Sequence, residues 1–278
     1  MKQIESLILS LLNKEGYESC LNNSSTVFAK SCDLVFSKFG ERIKTNIISS
    51  LKSVQTSTKH YFSFYFITKN LFSDLFDEET SKIIMESIRK EMLNLIDFDT
   101  HGNVEEILAE IQKRELITYL NGMSGHEHVL FLWSSKDKRD KLIPHFFAQP
   151  DVPQGLISLE KMNLPAVENV TYSEIFANKE TATNQELQMI TQIHQKNKTE
   201  LSTRIAGIDC TQWFKNGLSD EFLKLEKQID RYFQNNNISC VCGYNINEIH
   251  DNETLKKLLK CHNYVMLDNP HSIFKKQI

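Results

Sequence analysis

The sequence has little that would interrupt regular structure or cross a membrane. It contains five prolines and nine glycines in 278 residues, and no proline precedes Pro144. Its longest aromatic run, residues 61–67, is far shorter than the roughly 20 apolar residues that a membrane span needs. An excess of basic residues is also missing, because the formal net charge is -4. We therefore expect a folded protein that does not span a membrane and does not have nucleic acid as a partner.

Cysteine usage gives no sign of a disulfide-stabilised secreted domain. The six cysteines are spread along the chain instead of gathered in one short segment, and this spread favours reduced thiols in a cytosol. The first twelve residues carry Glu5 and Ser10 inside an apolar stretch and show no small-residue cleavage signal. They predict an amphipathic helix rather than a secretory leader. We expect a cytoplasmic protein.

Apolar periodicity in the first 115 residues predicts one helix after another. The segments that begin at Ile4 and Ile83 place apolar residues on one helical face. Five apolar residues keep a four-residue step from Val35 to Leu51, and this step also indicates a helix. We predict an all-helical domain over residues 1–120.

Within this domain, six residues are matched by similar residues 37 positions later. The pairs are Leu34 and Leu71, Phe39 and Phe76, Glu41 and Glu78, Ile47 and Ile84, Ser50 and Ser87, and Leu51 and Ile88. Helix-pair repeats have periods in this range. A duplicated helical unit and two amphipathic helices with similar apolar stripes are both consistent with the pattern.

From about residue 121 onwards, predicted strands and helices alternate. Val129–Trp133 is a continuous apolar run, which is typical of a strand buried on both faces. Further strands are predicted at 156–159, 167–172, 203–208, 238–244 and 264–267, the last of the chain. Helices are predicted at about 138–147, 184–196 and 252–260, and another helix is predicted after Ser219, with a buried stripe that runs from Phe222 to Tyr232. This alternation predicts an α/β domain over residues 121–278, with a mostly parallel sheet flanked by helices.

Two of these helices carry capping signals at their starts. Thr183 and Glu186 have the spacing of a capping box. Ser219 is followed by two acidic residues, which predicts that its side chain caps the next helix.

Four short blocks of the second half resemble a known family. In chain order they are Gly125–Trp133, Thr203–Gly207, Leu223–Phe233 with Leu225 and Glu226 at its centre, and Cys242–Tyr244 followed by Leu259–His262. Over residues 125–270 these blocks resemble the MEDS (methanogen/methylotroph DcmR sensory) domain family. The resemblance implies a RecA- and KaiC-like fold with a degenerate P-loop, and a ligand-sensing role in signal transduction. The ligand of such domains is generally unknown.

The turn after the first predicted strand lacks the residues that hold a triphosphate. A RecA-like ATPase needs a glycine-rich loop there, whose N–H groups cradle the phosphates, and a lysine that neutralises them. Residues 134–138 read Ser-Ser-Lys-Asp-Lys and contain no glycine. Lys136 and Lys138 could meet an anion at the helix start, or could belong to a solvated polar turn. We predict no enzyme activity and no nucleotide cofactor.

Candidate ligand-binding residues follow from the architecture. Open α/β sheets bind ligands beyond the carboxyl ends of their strands. This rule nominates Trp133, Ser134, Lys136, Glu160, Asp209 and Tyr244. Glu160 also resembles the catalytic glutamate of KaiC-like ATPases in position, although an exposed strand-end carboxylate is the simpler interpretation. Asp209 could hold a metal, or could cap the turn that follows it.

Cysteines and histidines near the C-terminus invite comparison with a metal site. They are Cys240, Cys242, His250, Cys261 and His262. We expect the thiols of Cys240 and Cys242 to face opposite sides of a predicted strand, which would prevent them from sharing one tetrahedral zinc. We therefore predict buried structural thiols and no metal. His126 is assigned to the linker and His128 to the start of the first strand, again without a metal.

The sequence supports a non-catalytic sensing or regulatory module. In this hypothesis the second domain binds a small ligand or a signalling protein, and the helical domain transmits the signal or dimerises. One alternative is a KaiC-like nucleotide-binding ATPase, with Lys136 or Lys138 replacing the usual loop lysine. Another is a protein-interaction adaptor built on an inactive ATPase fold. A homo-oligomer is compatible with all three hypotheses.

Overall fold

The computed structural model describes residues 2–21, 23–57, 61–97, 99–249 and 251–277. Within these residues the chain forms two compact units. The first contains the residues up to Leu116, together with short pieces at 270–272 and 277. The second contains residues 117–269 and 273–276.

The first unit is built mainly from helices. Its elements are α1 (Lys2–Lys14), β1 (Tyr17–Ser19), α2 (Asn23–Phe36), α3 (Glu41–Ser57), α4 (Tyr61–Leu75), α5 (Glu78–Leu95) and the first part of α6 (Val104–Gly122). Buried apolar side chains of α2 to α6 form one core, in which the rings of Phe36 and Phe72 meet edge to face at 5.5 Å. The prediction of an all-helical domain is not confirmed in that form, because the short strand β1 belongs to this unit.

The four-residue apolar step that starts at Val35 extends over two helices instead of one. After α2 the chain makes a 3-10 turn, and Gly40 then adopts a φ of 89°. Glycine adopts this left-handed region readily because it has no Cβ. The helix direction is therefore interrupted before α3, and the stripe is only partly buried: Ile47 is 2% exposed, whereas Ile43 is 46% exposed.

The 37-residue recurrence coincides with two helix starts. α3 begins at Glu41 and α5 begins at Glu78. Ile47 and Ile84 occupy matching positions in these helices, and both are buried. The recurrence therefore places similar side chains at similar points of two helices, while a duplicated origin stays a prediction.

The second unit alternates strands with helices. Its strands are β2 (His128–Trp133), β3 (Gln154–Ser158), β4 (Val167–Thr171), β5 (Thr203–Gly207), β6 (Ile238–Asn245), β7 (Tyr264–Asp268) and β8 (His271–Lys276). Its helices, besides the end of α6, are α7 (Lys136–Phe146), α8 (Tyr172–Ile175), α9 (Ala182–Gln195), α10 (Thr211–Lys215), α11 (Ser219–Asn235) and α12 (Asn252–Cys261). The predicted α/β class, with a mostly parallel sheet flanked by helices, is confirmed.

Parallel pairing brings the carboxyl ends of six strands to one edge of the sheet. The strands of this unit lie in the order β8-β7-β2-β6-β5-β3-β4. From β7 to β4 every neighbouring pair is parallel. β8 follows β7 after a two-residue turn, and the Lys276 N–H donates back to the Asn263 carbonyl at 2.9 Å. The central strand β2 is buried along its whole length, as its apolar run predicted.

Several local predictions for this unit are wrong. The short elements α8 and α10 were not expected, and β8 follows the strand that was predicted to be the last. α9 begins at Ala182, so the predicted capping box does not form, and Glu186 accepts a hydrogen bond from the Trp213 indole N–H at 3.1 Å. Leu218 holds the N-cap position of α11, which makes Ser219 its first helical residue.

A buried arginine on β5 binds the carboxyl ends of two helices. The Arg204 guanidinium donates to the carbonyls of Leu120, Asn121 and Met123 at 2.8 to 2.9 Å and to the Phe146 carbonyl at 2.5 Å. These carbonyls lie where α6 and α7 end, and the end of a helix carries partial negative charge. Arg204 therefore fixes both helix ends against the sheet.

Candidate functional site

A cavity of about 280 Å³ lies beyond the carboxyl ends of β2, β3 and β5. Its lining residues are Trp133, Lys136, Arg139, Asp140, Leu159, Glu160, Lys161, Met162 and Asp209. This position is the one that the architecture of a parallel sheet favours for a ligand. Three cationic and three anionic side chains line the cavity, so its formal charge balances.

Four of the six predicted site residues line this cavity: Trp133, Lys136, Glu160 and Asp209. The fifth, Ser134, lies in the adjoining turn and binds a carboxylate of the protein. The sixth, Tyr244, is fully buried, and its hydroxyl donates to Glu226. The structure therefore brings four candidates together and places Tyr244 in a different group of side chains.

The wall of the cavity contains a buried ion pair that the sequence did not reveal. Arg139 is 4% exposed, and its guanidinium binds the carboxylate of Asp209 and lies 4.7 Å from the centre of the Trp133 ring. The other oxygen of Asp209 accepts the Leu159 N–H at 2.9 Å. Asp209 therefore joins α7 to the end of β3, and its side chain does not cap the following turn as predicted.

The rim of the cavity carries a more exposed ion pair. Lys136 Nζ lies 3.0 Å from Glu160 Oε2, and the two side chains are 60% and 80% exposed. The hydrogen bond and the charge of Lys136 hold the pKa of Glu160 below its usual value. Water competes for such a pair, so it contributes little to stability and can reorganise around a ligand.

The N–H groups of the turn after β2 are already bound by a carboxylate of the chain. Asp268, at the end of β7, accepts the Ser134 N–H at 2.8 Å, the Ser134 hydroxyl at 3.1 Å and the Ser135 N–H at 3.3 Å through one oxygen. Asp268 is 2% exposed. α7 begins directly after the turn, with Ser135 as its N-cap. The N–H groups of Ser134 and Ser135, which precede the first turn of α7, are thus engaged by Asp268.

A second group of chemically reactive side chains lies buried within the same unit. It consists of His128, Glu226, Cys242 and His262, one potential ligand atom of each lying within 4.8 Å of the others. Glu226 Oε2 is 3.2 Å from His128 Nε2 and 3.5 Å from His262 Nε2. His128 Nε2 is also 3.4 Å from the Cys242 sulfur. We call these four residues the buried cluster.

The prediction that Cys240 and Cys242 face opposite sides of the sheet is wrong. Their sulfurs are 3.8 Å apart, because residues two apart in a strand point to the same face. Of the five residues compared with a metal site, Cys242 and His262 belong to the buried cluster, whereas His250 lies outside the described residues. His128, which was assigned only to the start of a strand, is a member of the cluster.

Mutual charge interactions shift the ionisation of the buried cluster. Burial by itself would lower the pKa of His128, but hydrogen bonds to Asp230 and Glu226 raise it to about 9. Burial would raise the pKa of Glu226, but the two histidines and the Tyr244 hydroxyl lower it to about 2. Burial and the neighbouring His128 lower the pKa of His262 to about 4. The cluster therefore favours an ionised carboxylate beside a positive charge.

Another buried carboxyl group lies near the buried cluster. Burial, with the charge of Glu226 as a smaller cause, raises the pKa of Glu186 to about 8. The Trp213 ring, whose N–H binds Glu186, stacks on Phe222 with centroids 5.0 Å apart. Glu186 is therefore protonated in the folded protein at neutral pH.

Comparison with protein-family models and with curated proteins finds no match for this chain. The resemblance to the MEDS family therefore stays a prediction. No helix in the described part of the chain is long and apolar enough to cross a bilayer.

Proposed function

We propose that the chain is a non-catalytic sensing or regulatory module that binds a small ligand in the cavity beyond β2, β3 and β5. The resemblance to the MEDS family motivates this proposal. A RecA- and KaiC-like origin of the second unit is part of what we propose. In the same proposal the helical first unit transmits the signal or dimerises. The cavity residues Trp133, Lys136, Glu160 and Asp209 contact the ligand.

The occupied turn after β2 is the observation that carries the proposal. Phosphate binding at a helix start needs free N–H groups, and an anion there is favoured by the helix dipole. Asp268 supplies an internal anion to the N–H groups of Ser134 and Ser135. A triphosphate would have to displace a buried carboxylate from its donors, and leaving that carboxylate buried without partners would be costly. This favours sensing over nucleotide hydrolysis.

The lining of the cavity favours a small neutral or zwitterionic ligand. Its cationic and anionic side chains balance, so a polyphosphate gains no net attraction. Trp133, Leu159 and Met162 add apolar surface to the lining. The volume of about 280 Å³ is at the small end of ligand pockets. A zwitterion with a short apolar part could contact both kinds of surface at once.

Tryptophan fluorescence offers a direct test, because the chain has two tryptophans and only Trp133 lines the cavity. In a Trp213→Phe variant, Trp133 is the single reporter of the cavity. We expect at least one member of a panel of free amino acids and betaines to change its emission saturably and to raise the thermal midpoint. MgATP and inorganic pyrophosphate should do neither.

The reciprocal variant, Trp133→Phe, is the matched control, because Trp213 is fully buried away from the cavity lining. Its emission should not respond to the ligand that changes Trp133. A saturable response to MgATP that disappears in Lys136→Ala would favour the ATPase alternative. A panel with no responding zwitterion would contradict the proposed ligand class.

A further inference from the structure

The hydrogen bonds of two buried histidines determine which ring nitrogen faces the centre of the buried cluster. Nδ1 of His128 lies 2.9 Å from the Cys261 carbonyl, and Nδ1 of His262 lies 2.7 Å from the Leu258 carbonyl. A carbonyl oxygen can only accept, so both Nδ1 atoms carry the proton. The Nε2 atoms of His128 and His262 lie 3.2 and 3.5 Å from Glu226 Oε2. In the absence of a metal, His128 keeps a proton on Nε2, and metal binding would release that proton and expose the lone pair.

The buried cluster therefore directs electron-pair donors towards a common point. The four donors are Glu226 Oε2, the Nε2 atoms of the two histidines and the sulfur of Cys242. The sulfur lies 3.9 Å from Glu226 Oε2. A proton on His128 Nε2 satisfies only the contact between that nitrogen and Glu226 Oε2. A divalent cation would satisfy all four donors simultaneously, which is what a metal site does.

The distances in the buried cluster are close to those of a tetrahedral site. With zinc–ligand bonds of about 2.0–2.3 Å, neighbouring ligand atoms in a tetrahedron lie about 3.3–3.6 Å apart. The Glu226 oxygen lies 3.2 and 3.5 Å from the two histidine nitrogens, and His128 Nε2 lies 3.4 Å from the Cys242 sulfur. The Cys242 sulfur lies 3.9 Å from the same oxygen, and no two of the four ligand atoms are more than 4.8 Å apart. Side-chain shifts of about 1 Å would bring the longer distances to tetrahedral values.

Surrounding groups hold these donors in the orientation that a metal requires. The Tyr244 hydroxyl donates to Glu226 Oε1 at 2.5 Å, which leaves Oε2 directed at the centre. The Cys261 carbonyl binds the outer nitrogen of His128, and Asp230 lies 3.4 Å from the same nitrogen. Histidine ligands of metals commonly donate their other N–H to a carbonyl or carboxylate, which fixes the tautomer.

We propose that His128, Glu226, Cys242 and His262 bind one zinc-type divalent metal ion as a structural site. Nitrogen, sulfur and a single carboxylate oxygen suit zinc, whereas calcium and magnesium require oxygen ligands. All four side chains are at most 6% exposed, so the site has no open position for a substrate. Its metal ties β2, β6, α11 and the residue after α12 together, and binding is coupled to folding.

Metal analysis of the untagged, full-length protein is the first test. We expect about one equivalent of zinc per chain after purification without chelator. Removing it with a strong chelator should lower the thermal midpoint of the second unit by several degrees, and adding Zn²⁺ should restore the midpoint. Protein that retains no metal and shows no thermal shift with Zn²⁺ or Co²⁺ would overturn the proposal.

Cobalt substitution identifies the sulfur ligand. The Co²⁺ protein should show the strong visible bands of four-coordinate cobalt and a sulfur-to-cobalt charge-transfer band. Cys242→Ser should lose the charge-transfer band, whereas the matched variant Cys240→Ser, two residues along the same strand face, should keep it. A band lost only in Cys240→Ser would refute the assignment. Should Cys242→Ser fail to fold, the wild-type cobalt spectrum still decides whether a four-coordinate thiolate site exists.

Discussion

Replacing Asp268 with alanine tests whether the turn after β2 depends on an internal anion. The substitution removes one oxygen that accepts the N–H groups of Ser134 and Ser135 and the Ser134 hydroxyl. Hydrogen bonds to a charged group contribute about 1.5–3 kcal/mol each. The two backbone bonds would sum to about 3–6 kcal/mol, but both serines are half-buried, so water can recover part of that sum. We expect the free energy of unfolding to fall by about 2–3 kcal/mol.

Urea denaturation followed by tryptophan fluorescence measures this loss in the relevant part of the chain. Both tryptophans belong to the second unit, so the signal reports the unfolding of that unit. With a denaturant slope of about 2 kcal/mol/M, the midpoint should move by roughly 1 M.

An exposed aspartate in the same unit provides the matched comparison. Asp251 caps α12 by accepting the Thr254 N–H at 2.6 Å, and it lies at the surface. Asp251→Ala should cost about 1 kcal/mol, as exposed N-caps usually do. If Asp268→Ala cost no more than Asp251→Ala, the proposed role of Asp268 would be refuted.

Three further changes have defined outcomes. Arg204→Met should lower the free energy of unfolding by about 3–5 kcal/mol, because four carbonyls lose a charged donor. The control Arg231→Ala, at an exposed position, should change the free energy of unfolding by less than about 0.5 kcal/mol. Equal urea midpoints for the two variants would contradict this prediction. Glu186 has a pKa of about 8 in the folded state and 4.5 as its ordinary value, so folding takes up a proton and stability falls as pH rises from about 4.5 to 8. Glu186→Gln should remove this fall and be more stable than the wild type at pH 9 by up to about 5 kcal/mol. Urea titrations at several pH values would reveal or exclude this difference. Lys136→Ala breaks an exposed pair with Glu160 and should leave the thermal midpoint almost unchanged, so a large drop would show that the pair is structural.

Patterns within short segments were sufficient to predict the architecture of the second unit. The apolar run at Val129–Trp133 identified the central strand, because a strand covered on both faces has no polar side to display. Regular alternation with helices then predicted the parallel sheet. The antiparallel strand β8 and the short helices α8 and α10 were missed. The two helices have four and five residues, which is too few to show a helical period of 3.6 residues.

Capping signals were less reliable because tertiary contacts redirected the side chains. Glu186 has the spacing of a capping residue, yet it binds Trp213 inside the core. The two residues are 27 positions apart in the sequence. The spacing of Thr183 and Glu186 therefore could not show that Glu186 has a distant hydrogen-bond partner in the core.

The location of the cavity followed from the sheet, but its chemistry did not. The carboxyl-end rule nominated Trp133, Lys136, Glu160 and Asp209 correctly as neighbours in space. Their partners, such as Arg139 for Asp209, lie on other elements and are defined only by the fold. Asp268 could have been found by the same rule, since it ends the strand beside β2.

The buried cluster was missed for two reasons. Its members lie on separate elements, from His128 on β2 to His262 after α12, so spacing alone does not unite them. The alternation of side chains in a strand was also applied wrongly to Cys240 and Cys242, which share a face. Correct alternation would have placed both thiols on one side of β6.

Equilibrium binding of MgATP, measured by titration calorimetry on the full-length protein, tests the central proposal. The proposal is that the turn after β2, whose N–H groups bind the carboxylate of Asp268, does not hold a nucleotide's phosphates. We predict no saturable heat of binding and no phosphate release above that of buffer. Saturable binding of MgATP by the wild type, lost in Lys136→Ala and accompanied by hydrolysis, would contradict the proposal.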